Sequence, residues 1–307
     1  MKQYSLWIVT AALLAACGNT PKKERQAAAP VFKPVEIPVM LNTPAERQRF
    51  VARHFWDNFD FADTAYLSEP ALTEQAIADY VHVLRSMPEE LGVASVARTM
   101  QLASTDRRMY DRFTDLFEKY LYDPNSPVRS ETLYIPVLES MAVSDHLDSL
   151  TRLRPVHRLE MARKNRPGSK AADFSYTTGD GRTGTLYTLP ARRTILFFNN
   201  PGCHACKEYT GQLDGSPVVG AALANKTLQV LALYPDENIR EWTDYQPHMP
   251  KAWINGYDRT LTIRDNELYD LRAIPTLYLI DADRTVLLKD VTFPEIEEYL
   301  TEHHAGQ

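Results

Sequence analysis

The sequence predicts an α+β chain of two domains: an all-α helical domain over residues 43–166, then a domain of strands and helices over residues 167–307. Three observations carry that expectation. Apolar residues recur at helical spacing from residue 43 to about 165. Near Asn165-Arg166-Pro167-Gly168, proline and glycine interrupt the pattern. Beyond that point the apolar residues gather in short continuous runs, as in strands buried on both faces. With 307 residues, 44% of them apolar, the chain is long enough for two cores. The net charge of −6 is spread along the chain and builds no basic patch, which argues against nucleic acid as a partner.

The first residues read as a targeting segment. Lys2 supplies a positive start, and the apolar run from Leu6 to Ala16 is too short to span a bilayer but suits a secretory signal. Leu14-Ala15-Ala16-Cys17-Gly18 then resembles the lipobox of bacterial lipoproteins. The plainer reading is an ordinary signal peptide with a chance cysteine. The resemblance implies that residues 1–16 are a lipoprotein signal peptide and that Cys17 becomes a lipid-bearing mature N-terminus. That would hold the chain on a membrane of the cell envelope, facing the periplasm. Gly18, where an Asp would retain a lipoprotein, favours the outer membrane by the same resemblance. Residues 17–42, rich in Pro, Lys and Ala, read as a flexible tether.

The helical domain opens with Thr43-Pro44-Ala45-Glu46, a capping box with proline at the first helical position. Ile77, Tyr80, Val81 and Leu84 form one apolar stripe; Met109, Phe113, Leu116, Phe117, Tyr120 and Leu121 form another. Breaks at Pro70, Pro88, Pro124, Pro127 and Pro155 divide the region into five or six antiparallel helices. Such stripes are what a helix needs to dock, so they read as core. His54, His82, His146 and His157 lack the spacing of a helical metal pair and receive no chemistry.

In the second domain, strand-like pieces fall at Asp173–Tyr176, Leu186–Leu189, Thr194–Phe198 and Leu228–Tyr234. Residues 276–280 and 285–289 read as a hairpin, and an amphipathic helix from about Glu295 to His303 closes the chain. Between the third strand and a helical stretch at Lys207–Leu213 lie Cys203-His204-Ala205-Cys206. This spacing places Cys203 at a helix N-terminus, where unpaired N–H groups and the helix dipole favour a thiolate. His204 adds a neighbouring positive charge when protonated. Cys206, one turn on and more covered, is suited to attack a mixed disulfide formed at Cys203.

These residues carry a resemblance. Gly168-Ser169 with Ala172-Asp173-Phe174, the run from Ile195 to Cys206, and Tyr269-Asp270-Leu271-Arg272-Ala273-Ile274-Pro275-Thr276 together resemble the TlpA/ResA group of membrane-tethered thiol-disulfide oxidoreductases. The resemblance implies a thioredoxin-like α/β domain, a mixed central sheet flanked by helices. It implies Cys203 and Cys206 as a redox-active dithiol and disulfide, with Pro275 cis and packed against them. Ile274 would pair its backbone with a client peptide, with Thr276 and His204 supporting. No metal or other cofactor is implied. The partners would be protein dithiol or disulfide clients and an upstream electron donor. The helical region resembles the uncharacterised domain that accompanies such modules in Gram-negative lipoproteins. Three departures leave the redox direction open: no Trp precedes Cys203, Phe197 stands where many thioredoxins carry a buried acid, and the intervening dipeptide is His204-Ala205. The resemblance alone leans towards a reductase or isomerase.

Other readings of the pair fit less well. Zinc requires about four ligands, and no second C-x-x-C or C-x-x-H occurs. A structural disulfide this short closes too small a loop to stabilise much. A peroxiredoxin-type peroxidase would want Thr at the position of Asn200. The reading from a different class is a lipoprotein binding or scaffold module with a vestigial redox domain.

Overall fold

The computed structural model describes residues 31–304, so Cys17, the signal segment and most of the tether lie outside the described residues. Six α-helices come first: α1 Pro44–His54, α2 Pro70–Arg85, α3 Glu89–Ala103, α4 Arg107–Phe117, α5 Glu131–Val143 and α6 Ser149–Arg163. Their starts follow local chemistry. Thr43 and Glu46 cap α1 reciprocally, Asp106 accepts from the amides of Arg108 and Met109, and Ser130 and Asp148 cap α5 and α6. The stripes close over one core in which Ile77, Tyr80, Val81, Phe113, Phe117 and Leu121 are almost fully buried. Tyr80 satisfies its hydroxyl inside that core with Ser95 Oγ at 2.6 Å and Thr99 Oγ1 at 2.9 Å.

One expectation needs correction here. Pro155 does not break the chain but lies buried inside α6; a second proline, Pro136, lies inside α5. A mid-helix proline forfeits a backbone hydrogen bond. The burial of Leu133, Val137 and Leu138 on α5 and of Leu159 and Ala162 on α6, which pack together, outweighs that loss.

The second unit contains β1 Ser175–Thr178, β2 Thr183–Thr185, β3 Arg193–Phe198, α7 His204–Gly215, α8 Pro217–Ala224, β4 Leu228–Tyr234, α9 Ile239–Tyr245, β5 Ile254–Tyr257, α10 Thr262–Asp265, β6 Thr276–Asp281, β7 Val286–Lys289 and α11 Phe293–His304. The seven strands form one mixed sheet in the order β2-β1-β5-β4-β3-β6-β7. β3 runs parallel to β4 and antiparallel to β6, placing it inside the sheet with a partner on each side. Side chains alternate across a strand, so Ile195 and Phe197 face one apolar layer while Leu196 and Phe198 face the other. The first layer includes Leu213, Val219, Ile296 and Leu300 of α7, α8 and α11; the second includes Phe174, Leu186, Ile263 and Tyr269. Both faces are covered, which is why β3 reads as an unbroken apolar run.

The segment expected as a strand at Leu186–Leu189 is instead a short 3-10 turn over Leu186–Thr188. Thr188 Oγ1 accepts from the Thr185 amide at 3.0 Å and ends the strand one residue earlier. The first strand begins at Ser175 because the Asp173 carboxylate accepts from the amides of Phe174 and Tyr187, both at 3.0 Å.

Candidate redox site

The cysteines sit where β3 delivers the chain to α7. After β3 the backbone turns through Asn199, Asn200, Pro201 and Gly202, and Gly202 takes φ +74°, a conformation that a side chain disfavours. That turn points Cys203 at the start of α7 as its N-cap: its sulfur accepts the Cys206 amide at 3.2 Å. Cys203 is half-buried. Cys206 lies one turn on, only 2% exposed, in the same apolar layer as Phe197 and Leu213.

Burial pushes the Cys206 thiol up to about 12 from its ordinary 9.0, and its interaction with Cys203 acts in the same direction. The Asn200 amide, 3.5 Å from Cys206 Sγ, opposes this by donating to the sulfur. The aromatic ring of Phe197, standing in place of an acid, gives this thiol no charged partner. The pair is thus asymmetric: one accessible sulfur at a helix end, one covered sulfur held as a thiol.

The segment before β6 closes the site from the other side. The Ile274–Pro275 peptide is cis, and the Ile274 carbonyl lies 3.7 Å from Cys203 Sγ. Thr276 opens β6 opposite Phe198 of β3, which ties this loop to the strand that carries the cysteines. Its hydroxyl donates back to the Ala273 carbonyl at 2.5 Å, closing the turn. The structure therefore brings Cys203, Cys206, Ile274, Pro275 and Thr276 together. His204 stands apart: its side chain is 86% exposed and its Nδ1 lies 3.5 Å from Glu208 Oε1, so the ring faces solvent and a carboxylate. A charge so exposed is strongly screened, and its expected support of Cys203 rests on sequence adjacency alone.

Several neighbours were not singled out from the sequence. The Asn200 backbone touches both cysteines, since its carbonyl also accepts the Cys203 amide at 3.3 Å. Its side chain donates at 2.9 Å to Asp236, just past β4, pinning one strand end to the other. Tyr245 of α9 packs in the Cys206 layer, and its phenol is pushed up by burial and by the two sulfurs. The Asn199-Asn200 pair directly after an apolar run was the available signal for the first. No local pattern marks Asp236 or Tyr245. Among the described residues, no group of three or more His, Cys, Asp or Glu side chains is placed to hold a metal ion.

Comparison with known proteins matches this geometry to a class. A thioredoxin-like protein from Bacteroides caccae, solved by crystallography, is 46% identical, with a TM-score of 0.87 over 90% of this chain and 100% of that one. The chain belongs to the thioredoxin-like proteins. The C-terminal domain of an uncharacterized protein from Bacteroides fragilis is 53% identical over 45% of this chain and 98% of that one, with a TM-score of 0.44. A domain of "possible thiol-disulfide isomerase" from Cytophaga hutchinsonii is 25% identical over 47% of this chain and 96% of that one, with a TM-score of 0.42. Residues 15–165 match a family model described as a domain of unknown function, DUF5106. No curated protein matches the chain.

Proposed function

We propose that this protein is a thiol-disulfide oxidoreductase of the TlpA/ResA kind, acting as a reductase or isomerase on protein disulfides through Cys203 and Cys206. One observation carries the reading: a half-buried sulfur at a helix N-terminus, a covered sulfur one turn behind it, and the Ile274–Pro275 backbone closing over the pair. The Cys203 thiolate attacks one sulfur of a client disulfide. The client S–S bond breaks, a mixed disulfide forms, and the departing client sulfur takes up a proton. Cys206 then gives up its proton and attacks the Cys203 sulfur, closing the Cys203–Cys206 disulfide and releasing the second client thiol. Two electrons and two protons have passed to the client, and an upstream dithiol donor restores the pair. The reaction needs no metal or organic cofactor.

Trapping tests this reading. Cys206→Ser should accumulate mixed disulfides on Cys203 that a reductant dissolves, and Cys203→Ser should abolish exchange. Turnover by Cys203→Ser, or absence of any mixed disulfide with Cys206→Ser, would refute it.

The same proposal places the protein on the envelope, anchored through Cys17 and facing the periplasm, the outer membrane being favoured. The lipobox resemblance supports this placement. Cys17→Ser should release the chain or leave an unprocessed precursor, and a mature, membrane-bound Cys17→Ser chain would overturn it.

A further inference from the structure

We propose that the helical domain is a working part of the redox site: through Tyr122 and Glu131 it holds Arg272, and with it the 270–276 segment that presents Ile274 and Pro275 to Cys203. The inference rests on the redox reading above and assigns a role to the region that matches a domain of unknown function.

At its start the segment is held within the redox domain, where Tyr269 is buried and donates to the Ala172 carbonyl at 2.6 Å. Between α10 and β6 it is irregular and enters the sheet only at Thr276. Its anchor is Arg272, whose guanidinium meets Asp270 on the same loop, Asp290 just past β7 at 3.0 Å, and Glu131 of α5 at 3.5 Å. The Cζ of that guanidinium lies over the Tyr122 ring, 4.3 Å from its centre, and the Arg158 Cζ of α6 lies over the same ring, also at 4.3 Å. Tyr122 and Glu131 come from the helical domain; Arg272 lies two residues before Ile274. A planar, delocalised cation clamped between carboxylates and an aromatic face is fixed in orientation as well as position.

A second contact makes the join rigid. Lys289 of β7, with its side chain 3% exposed, donates to Glu131 at 2.7 Å and to the carbonyls of Ala162 and Lys164 at 3.0 and 2.7 Å. One residue of the sheet thereby caps the C-terminal end of α6. Arg129 adds a bond to the Asp290 carbonyl at 3.2 Å. Glu131 thus meets both Arg272 and Lys289, and a shift of the helices would be felt at the loop beside Cys203.

A small disulfide needs only access to the Cys203 sulfur, whereas a protein client must also lie along Ile274. The full-length protein should therefore show a split. With Tyr122→Ala, kcat/KM for reduction of insulin disulfides should fall roughly tenfold, the scale of a desolvated cation–π contact, while the rate with a small aromatic disulfide stays within about twofold. Glu131→Gln keeps the volume and removes the charge; it should fall in the same selective way, and it serves if Tyr122→Ala does not fold. Glu139→Gln, which breaks only the exposed pair with Arg163, should match the wild type on both substrates. Folded Tyr122→Ala and Glu131→Gln proteins that keep the wild-type insulin rate, or that lose both rates together, would overturn the inference. A wild-type chain that reduces neither substrate would instead remove the redox reading itself, and this inference with it.

Discussion

The sharpest consequence of the site is the inertness of Cys206 as a free thiol. In Cys203→Ser it is the one sulfur left at the site, and burial, the larger cause of its shift, remains. With Cys203 beside it, a Cys206 thiol pushed up to about 12 from an ordinary 9.0 holds at pH 8 about a thousandfold less thiolate than an unperturbed cysteine; Cys203→Ser removes the share of the shift that Cys203 supplies, so this figure is the upper limit for the variant. A more basic thiolate is intrinsically more nucleophilic. With a Brønsted slope of about 0.45 this returns roughly twentyfold, so the net slowing is at most about fiftyfold before access is counted. Access lowers the rate further, because the residue is 2% exposed. The assay is iodoacetamide labelling of the reduced Cys203→Ser protein from pH 7 to pH 9.5, with the modified peptide quantified by mass spectrometry. The Cys206 rate should lie well below that of a model thiol at pH 8 and climb about tenfold per pH unit without levelling. Labelling at the model-thiol rate, or a plateau near pH 9, would refute the argument from burial.

Four further outcomes follow from the fold and its contacts. Stability of the reduced protein should carry the Cys206 signature: a thiol raised on folding contributes stability that is whole below pH 9 and is lost as pH climbs towards 12. In urea unfolding, the advantage of reduced wild type over Cys206→Ser should therefore shrink by about 1.4 kcal/mol between pH 8 and pH 10, and a constant difference would contradict it. Glu131→Ala removes the carboxylate beside the buried Lys289, leaving its charge with the α6 carbonyls alone, and should cost about 3 kcal/mol in denaturant unfolding. A fragment of residues 167–307 should nevertheless stay soluble, because deleting the helices uncovers Lys289 to water; an insoluble fragment would show that the helices complete its core. Gly184→Ala would set a Cβ 2.6 Å from the Tyr176 hydroxyl and should lower the thermal midpoint by the equivalent of about 1–3 kcal/mol, whereas an unchanged midpoint would mean that Tyr176 moves aside freely.

Much of the architecture was legible residue by residue, because it is set locally. Thr43 and Glu46 announce a helix start through their own hydrogen bonds, and the apolar run of β3 announces a strand buried on both faces. A cysteine one short turn after such a strand, followed by a helical stretch, stands at a helix N-terminus by chain geometry alone. The short elements α9, β5 and α10 carried no comparable signal, since a helix of one or two turns shows no periodicity. Pro155 misled for a related reason: local propensity argues for a break, and only packing against α5 overrides it. Asp236 reaches Asn200 because parallel pairing brings the ends of β3 and β4 together, and Tyr245 reaches the Cys206 layer because α9 folds back over it. Glu131 meets Arg272 and Lys289 only after two separately formed cores are pressed together. Tertiary structure decides these contacts because a buried charge is tolerable only beside its partner, and which partner arrives depends on how distant segments pack rather than on the residues next to it in the chain.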